Sequence, residues 1–163
     1  MARVRLVLLG WLAALAACAS VAADPPPTYY VTRHLQKGEG QDPGLTELGR
    51  RNAVRLAERL RPAPPAAIFA SATRRARETA QPSVERYSLQ IQEYDPRDTP
   101  ALVARLRATP GPVLVVGHSN TVPAIIEALE GHRVGEIGEG DYGTLYRLSG
   151  PGKGVVRVTV DSN

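Results

Sequence analysis

Val113 to Val116 form a continuous apolar run, with Pro112 before it and Gly117 after it. A half-buried strand alternates; this run has no polar face, so it reads as a strand covered on both sides. Such a strand needs helices above and below the sheet, and the rest of the chain supplies them. Tyr29–Thr32 and Ala66–Ala70 read as short strands, and Leu89–Tyr94 alternates as another. Thr46 can cap a helix through about Leu60, with Gly49, Ala53, Leu56 and Leu60 on one face. Arg74 opens a helix to about Gln81, where Pro82 ends or kinks it. Thr99 and Pro100 suit the N-cap and first position of a helix over Ala101–Ala108. Val122–Leu129 is helical up to a stop at Gly131, and Thr144–Leu148 with Val155–Val160 reads as a closing hairpin. The order β-α-β-α-β-α-β-α-β-β predicts an α/β fold: a three-layer αβα sandwich around a mostly parallel central sheet.

The first residues do not fit that pattern. Arg3 and Arg5 precede a 12-residue apolar run, Leu6–Ala17, and small residues follow to Ala23. The run is too short to span a bilayer and suits an export signal. Leu15-Ala16-Ala17-Cys18 resembles a bacterial lipobox, which makes 1–18 a lipoprotein-type signal peptide and Cys18 the lipidated residue; cleavage after Ala23 is the alternative. At ~0.8 kcal/mol per buried CH₂, several acyl chains would anchor a small domain durably. Residues 19–28, with Pro25-Pro26-Pro27, read as an extended tether. Residues 29–163 are then one domain. The expected location is the periplasm, on the membrane only through that anchor.

Charge narrows the partners. Removing Arg3 and Arg5 takes the formal charge from +4 to +2, and the remaining Arg are scattered. The chain has one Phe, and its one Trp lies in the leader. A nucleic-acid surface needs a basic stripe with aromatic platforms, so no nucleic-acid partner is expected. Oligomeric state is not written in these features. Cys18 is the only cysteine, so no intramolecular disulfide is available.

In parallel sheets, ligands bind beyond the carboxyl ends of the strands. The strands here end in Arg33-His34, lead into Arg74-Arg75, end near Asp95 and Asp98, and end in Gly117-His118-Ser119-Asn120. Together these suit a phosphate dianion, since guanidinium forks make bidentate bonds to phosphoryl oxygens. The start of the helix at Arg74 would add backbone N–H groups. Gly117-His118-Ser119 also invites a nucleophile-elbow reading with Ser119 as nucleophile. Thr121 then stands where that turn needs Gly, and the order Ser, acid, His is missing.

Thr32-Arg33-His34, Leu45-Thr46-Glu47-Leu48-Gly49, Ser71-Ala72-Thr73-Arg74-Arg75-Ala76-Arg77-Glu78-Thr79-Ala80 and Val116-Gly117-His118-Ser119-Asn120-Thr121 together resemble the histidine phosphatase superfamily, with its phosphoglycerate-mutase-like fold. The likeness runs in order from Tyr30 to about Leu129. It implies a phosphatase in which His34 attacks phosphorus, Arg33 and Arg75 hold the phosphoryl oxygens, and His118 contacts them from the opposite side. A general acid would come from the region of Asp95, with Asp98, Glu93 and Glu39 as rivals. Lys37 would be an added phosphate contact. No metal or other cofactor is expected, since three His without acidic or Cys partners make a poor zinc set. The small domain suits an open site and a phosphorylated small-molecule or envelope substrate. Leu35 departs from the family, where Gly usually follows the nucleophile, and could narrow the pocket. That departure keeps a non-catalytic, anion-binding lipoprotein as an alternative, beside the less favoured Ser119 hydrolase.

Overall fold

The computed structural model describes residues 27–131, 133–150 and 152–160. The signal segment, Cys18 and most of the tether lie outside them, as does His132. The elements follow the expected order: β1 (Tyr29–Arg33), α1 (Glu47–Arg59), β2 (Ala67–Ser71), α2 (Arg74–Tyr87), β3 (Ile91–Tyr94), α3 (Thr99–Ala108), β4 (Val113–Gly117), α4 (Val122–Glu130), β5 (Thr144–Leu148) and β6 (Val155–Thr159). They build one six-stranded sheet in the order β3-β2-β4-β1-β5-β6. The β3, β2, β4 and β1 strands are parallel, and β5 and β6 add an antiparallel edge.

The apolar run that shaped the fold expectation is β4, the inner strand between β2 and β1, with all five residues buried. Its side chains alternate between two cores. Val113 and Val115 meet Leu102 and Leu106 of α3 and Ile125, Ile126 and Leu129 of α4. Leu114 and Val116 meet Leu56 of α1 and Ala76 and Ala80 of α2, with Leu60 just past α1. Helix pairs therefore cover both faces, which gives the three layers.

Three boundaries differ from expectation. The second helix does not stop at Pro82 but runs through it to Tyr87. Proline forfeits only the bond its N–H would give to Glu78, and the burial of Thr79, Ala80 and Ser83 holds the helix across the gap. Asp98, not Thr99, caps α3: its carboxylate accepts from the Ala101 N–H at 3.0 Å. The third strand begins at Ile91, because Ser88 closes α2 in the left-handed region and Leu89 serves that turn. Thr46 caps α1 as expected, accepting from the Gly49 N–H at 3.1 Å. No helix among the described residues is long and apolar enough to cross a membrane.

Strand register brings the motifs to one edge. Arg33 pairs with Gly117, so the next residues, His34 and His118, leave the sheet side by side. The His34 N–H extends the ladder one step, donating to the Gly117 carbonyl at 2.8 Å.

Candidate active site

His34 is 3% exposed. Its Nδ1 lies 2.9 Å from the Leu35 carbonyl. A carbonyl only accepts, so Nδ1 carries the proton, and Nε2 of the neutral ring keeps its lone pair. Burial lowers the His34 pKa from 6.5 to about 4; the Leu35 carbonyl opposes this, while Arg33, His118 and Arg75 add to it. The ring is therefore neutral near pH 7. Leu35 itself does not narrow the pocket. Its side chain is fully buried with Leu45 and Ala53, and its N–H donates to Thr79 Oγ1 at 3.0 Å.

Arg33 is held from both sides. Its Nη1 donates to the carbonyls of Gly138, Glu139 and Asp141 at 2.6, 3.0 and 3.2 Å. Its guanidinium lies over the Tyr142 ring, 4.3 Å from the centroid, and Nη2 is 3.5 Å from the Glu139 carboxylate. Nε of Arg33 is buried without a hydrogen-bond partner among the described residues. Tyr142 also faces His34, with ring centroids 5.9 Å apart. Sequence reasoning missed Tyr142. It sits in an irregular stretch with no periodicity, and only its solitary aromatic character among glycines and acids marks it out.

The His118 ring stands edge-on to His34, with centroids 5.4 Å apart. Its Nε2 is 2.8 Å from Oγ of the buried Ser71, which ends β2. Burial lowers its pKa from 6.5 to about 4 as well, helped by Arg75 and Arg33. The turn beneath it is pinned by Thr121, whose Oγ1 accepts from the His118 N–H at 2.9 Å. A Cβ at Gly117 would come within 2.9 Å of that same oxygen and 3.1 Å of the Tyr94 hydroxyl, so the turn requires glycine there. Thr121 is thus a fastener for the turn. Ser119 makes no hydrogen bond to a histidine among the described residues, and Nε2 of the adjacent His118 lies against Ser71 instead.

Arg75 acts electrostatically on both histidines, and Arg74 is not among the groups that shift them. Arg74 is exposed and bonds Glu78 at 2.6 Å. Arg75 is mostly buried, lowers both histidine pKa values, and has a buried Nε without a hydrogen-bond partner among the described residues. Its Nη1 is 3.5 Å from Asp42. The helix end is less available than expected. Asp42 accepts from the Arg74 N–H at 3.1 Å, and the Ala76 and Arg77 N–H groups bond the Thr73 carbonyl.

The expected general acid is a correction. Asp95 is half-exposed and clamped by Arg97, which donates from Nε, Nη2 and its backbone N–H at 3.0, 2.8 and 2.9 Å. Those bonds to Arg97 hold the Asp95 pKa down at about 2, so near neutrality it has no proton to give. Its rivals do no better: Glu93 pairs with Arg77 at 2.9 Å, Asp98 caps α3, and Glu39 is exposed on its loop. Lys37 is placed by a backbone bridge to Leu45, and its ammonium joins no ion pair among the described residues. No group of three or more His, Cys, Asp or Glu among the described residues is arranged to hold a metal ion.

Two neutral imidazoles thus share the field of two guanidiniums, whose buried Nε atoms have no partner among the described residues. The comparisons agree with this geometry. The model of the histidine phosphatase superfamily (branch 1) matches residues 30–97. No curated protein matches the chain by sequence. Among solved structures, the fold is similar to a mycobacterial glucosyl-3-phosphoglycerate phosphatase in complex with inorganic phosphate, at 21% identity over 83% of this chain and 99% of that one, with TM-score 0.65. It is similar to the protein histidine phosphatase SixA complexed with tungstate, at 15% identity over 82% and 97%, with TM-score 0.65. A protein assigned as the phosphohistidine phosphatase SixA from Nakamurella multipartitia shares 27% identity over 63% and 66%, with TM-score 0.53. The ordered motifs and the match over residues 30–97 make this chain similar to the histidine phosphatase superfamily, and its fold is that of the solved phosphatases.

Proposed function

We propose that the chain is an exported, metal-independent phosphatase that hydrolyses phosphate monoesters through a phosphohistidine on His34. The observation that carries this is the fixed tautomer of His34: Nδ1 bonds the Leu35 carbonyl, which frees Nε2 as the nucleophile. The Nε2 lone pair forms the P–N bond as the ester P–O bond breaks, and the departing alkoxide takes a proton from solvent. Water then attacks phosphorus and gives a proton to solvent, the P–N bond breaks, and its electron pair returns to Nε2. Arg33, Arg75 and His118 face the transferring oxygens and stabilise the charge that develops there. Names of similar proteins support the phosphatase reading, and the N-terminal signal supports export with a lipid anchor on Cys18 in the periplasm.

The test is hydrolysis of an aryl phosphate by the domain from Asp24 onward, with chelator in excess. Wild-type turnover that persists, and falls more than about a thousandfold in His34→Ala, is the expected result. Activity that disappears with chelator and returns with metal contradicts metal independence. Activity unchanged in His34→Ala contradicts the nucleophile.

A further inference from the structure

The end of β2 carries two hydroxyls that the phosphoryl-transfer steps leave unused. Ser71 is the last residue of β2, and the register that pairs Ala70 with Val116 sets it beside the β4 end, where His118 follows Gly117. Ser71 is fully buried, with Oγ 2.8 Å from His118 Nε2 and 3.2 Å from Thr73 Oγ1. Thr73 precedes α2, where a threonine hydroxyl ordinarily accepts from an N–H of the first turn. It makes no such bond here: the Ala76 and Arg77 N–H groups bond its carbonyl, and its hydroxyl meets Ser71. The helix end thus forgoes its side-chain cap, and the hydroxyl serves the serine that touches the imidazole.

Proton counting gives this chain of contacts a direction. Each hydroxyl has one proton to donate, and a neutral imidazole has one N–H and one lone pair. His118 is neutral near pH 7, since burial brings its pKa to about 4. With Nε2 against Ser71, Nδ1 is the nitrogen left for a ligand, and it makes no hydrogen bond among the described residues. The oxygens of a phosphoryl dianion only accept, so the nitrogen that meets them carries the proton. Nε2 then keeps its lone pair, Ser71 donates to it, and the Ser71 oxygen accepts from Thr73.

Resting on the phosphatase reading, we propose that Ser71 and Thr73 are positioning residues that fix His118 as its Nδ1–H tautomer and so give the transferring phosphoryl group a donor. Without them the ring exchanges between tautomers, and in the other one a lone pair meets the phosphoryl oxygens and repels them. The same short segment leads into Arg75, so the start of α2 sets both a guanidinium and the proton of the imidazole.

The experiment combines nitrogen NMR of the full chain, labelled at histidine, with kcat/KM on an aryl phosphate. His118, assigned by the signals lost in His118→Gln, carries its proton on Nδ1 in wild type near neutrality. Ser71→Ala gives a mixture of tautomers and lowers kcat/KM by about tenfold or more, the scale on which an outer hydrogen bond matters to a metal-ligating imidazole. Thr73→Val keeps the side-chain shape at a partly exposed position; it moves the tautomer the same way and costs about threefold to tenfold, as loss of one hydrogen bond does. Thr73→Ser keeps the hydroxyl and restores wild-type values. A proton on Nε2 in wild type, turnover unchanged in Ser71→Ala, or variants that lose activity while the tautomer stays as it was would each overturn the positioning proposal and leave the His34 reading standing. Absence of turnover by wild type overturns the phosphatase reading and this proposal together.

Discussion

The ends of β1 and β3 lie on the same edge of the sheet, and both carry charged groups. They have opposite fates. At the end of β1, Arg33 and His34 are each 3% exposed, and burial brings His34 down to a pKa of about 4. At the end of β3, Asp95 is half-exposed, and Arg97, two residues on, neutralises it locally. The difference lies in what each cation is left to do. The guanidiniums of Arg33 and Arg75 keep buried donors with no partner among the described residues, whereas Arg97 directs its donors to Asp95. A strand end becomes reactive where its charges are buried and left incompletely satisfied, and stays inert where they cancel in solvent.

The comparison breaks first at Arg75. Arg75→Ala removes one donor from the transferring phosphoryl group and costs about a hundredfold or more in kcat/KM, as loss of a transition-state donor does elsewhere. Steady-state kinetics on an aryl phosphate read it directly. An effect within twofold would place Arg75 outside the reaction. A smaller loss follows at Tyr142. Tyr142→Ala removes the ring beneath Arg33 and beside His34 and lowers kcat/KM by about tenfold, the scale of a partly desolvated cation–π contact. Tyr142→Phe keeps the ring and stays near wild type; an equal loss in both variants would assign the effect to the hydroxyl instead.

The smallest effect belongs to the β3 end. Asp95→Asn changes kcat/KM by less than about twofold, since it breaks only a surface pair. A large loss, with kcat falling on the alkaline side, would restore Asp95 as the acid. Acid unfolding separates the same two regions. Between pH 6.5 and about 4 the unfolded histidines bind protons that the folded ones refuse, so stability is lost as pH falls through that window. The Asp95 contribution is present above 3.8 and is lost only as pH falls through about 2. Urea midpoints measured across pH 7 to 3 should drop first in the upper window, and His118→Gln should reduce that drop.

How much of this was legible in the sequence follows from the same contrast. The β4 run fixed the sheet and its two covered faces, because a strand with no polar side leaves few alternatives. Arg33-His34, Arg74-Arg75 and His118 were marked by their places at or after strand ends, which parallel register brings to one edge; the choice of Arg75 over Arg74 and the role of each residue rested on the family resemblance. Asp95 met the same positional rule, yet its partner Arg97 decided its state, and side-chain pairing is not written in strand position. Tyr142 was illegible for another reason. It reaches Arg33 across more than a hundred residues from a segment without a repeat, so no local pattern announces the contact. Pro82 misled because packing of α2 outweighed a missing backbone bond. Leu35 misled because its side chain turns into a small core with Leu45 and Ala53.

The central claim is that phosphorus is transferred to His34. Mixing the enzyme with a radiolabelled ester, quenching within milliseconds in alkali and mapping the labelled peptide tests it. The account predicts a label that is stable in alkali, labile in acid and carried by His34. A label on Ser119, stable in acid and lost in alkali, would contradict it.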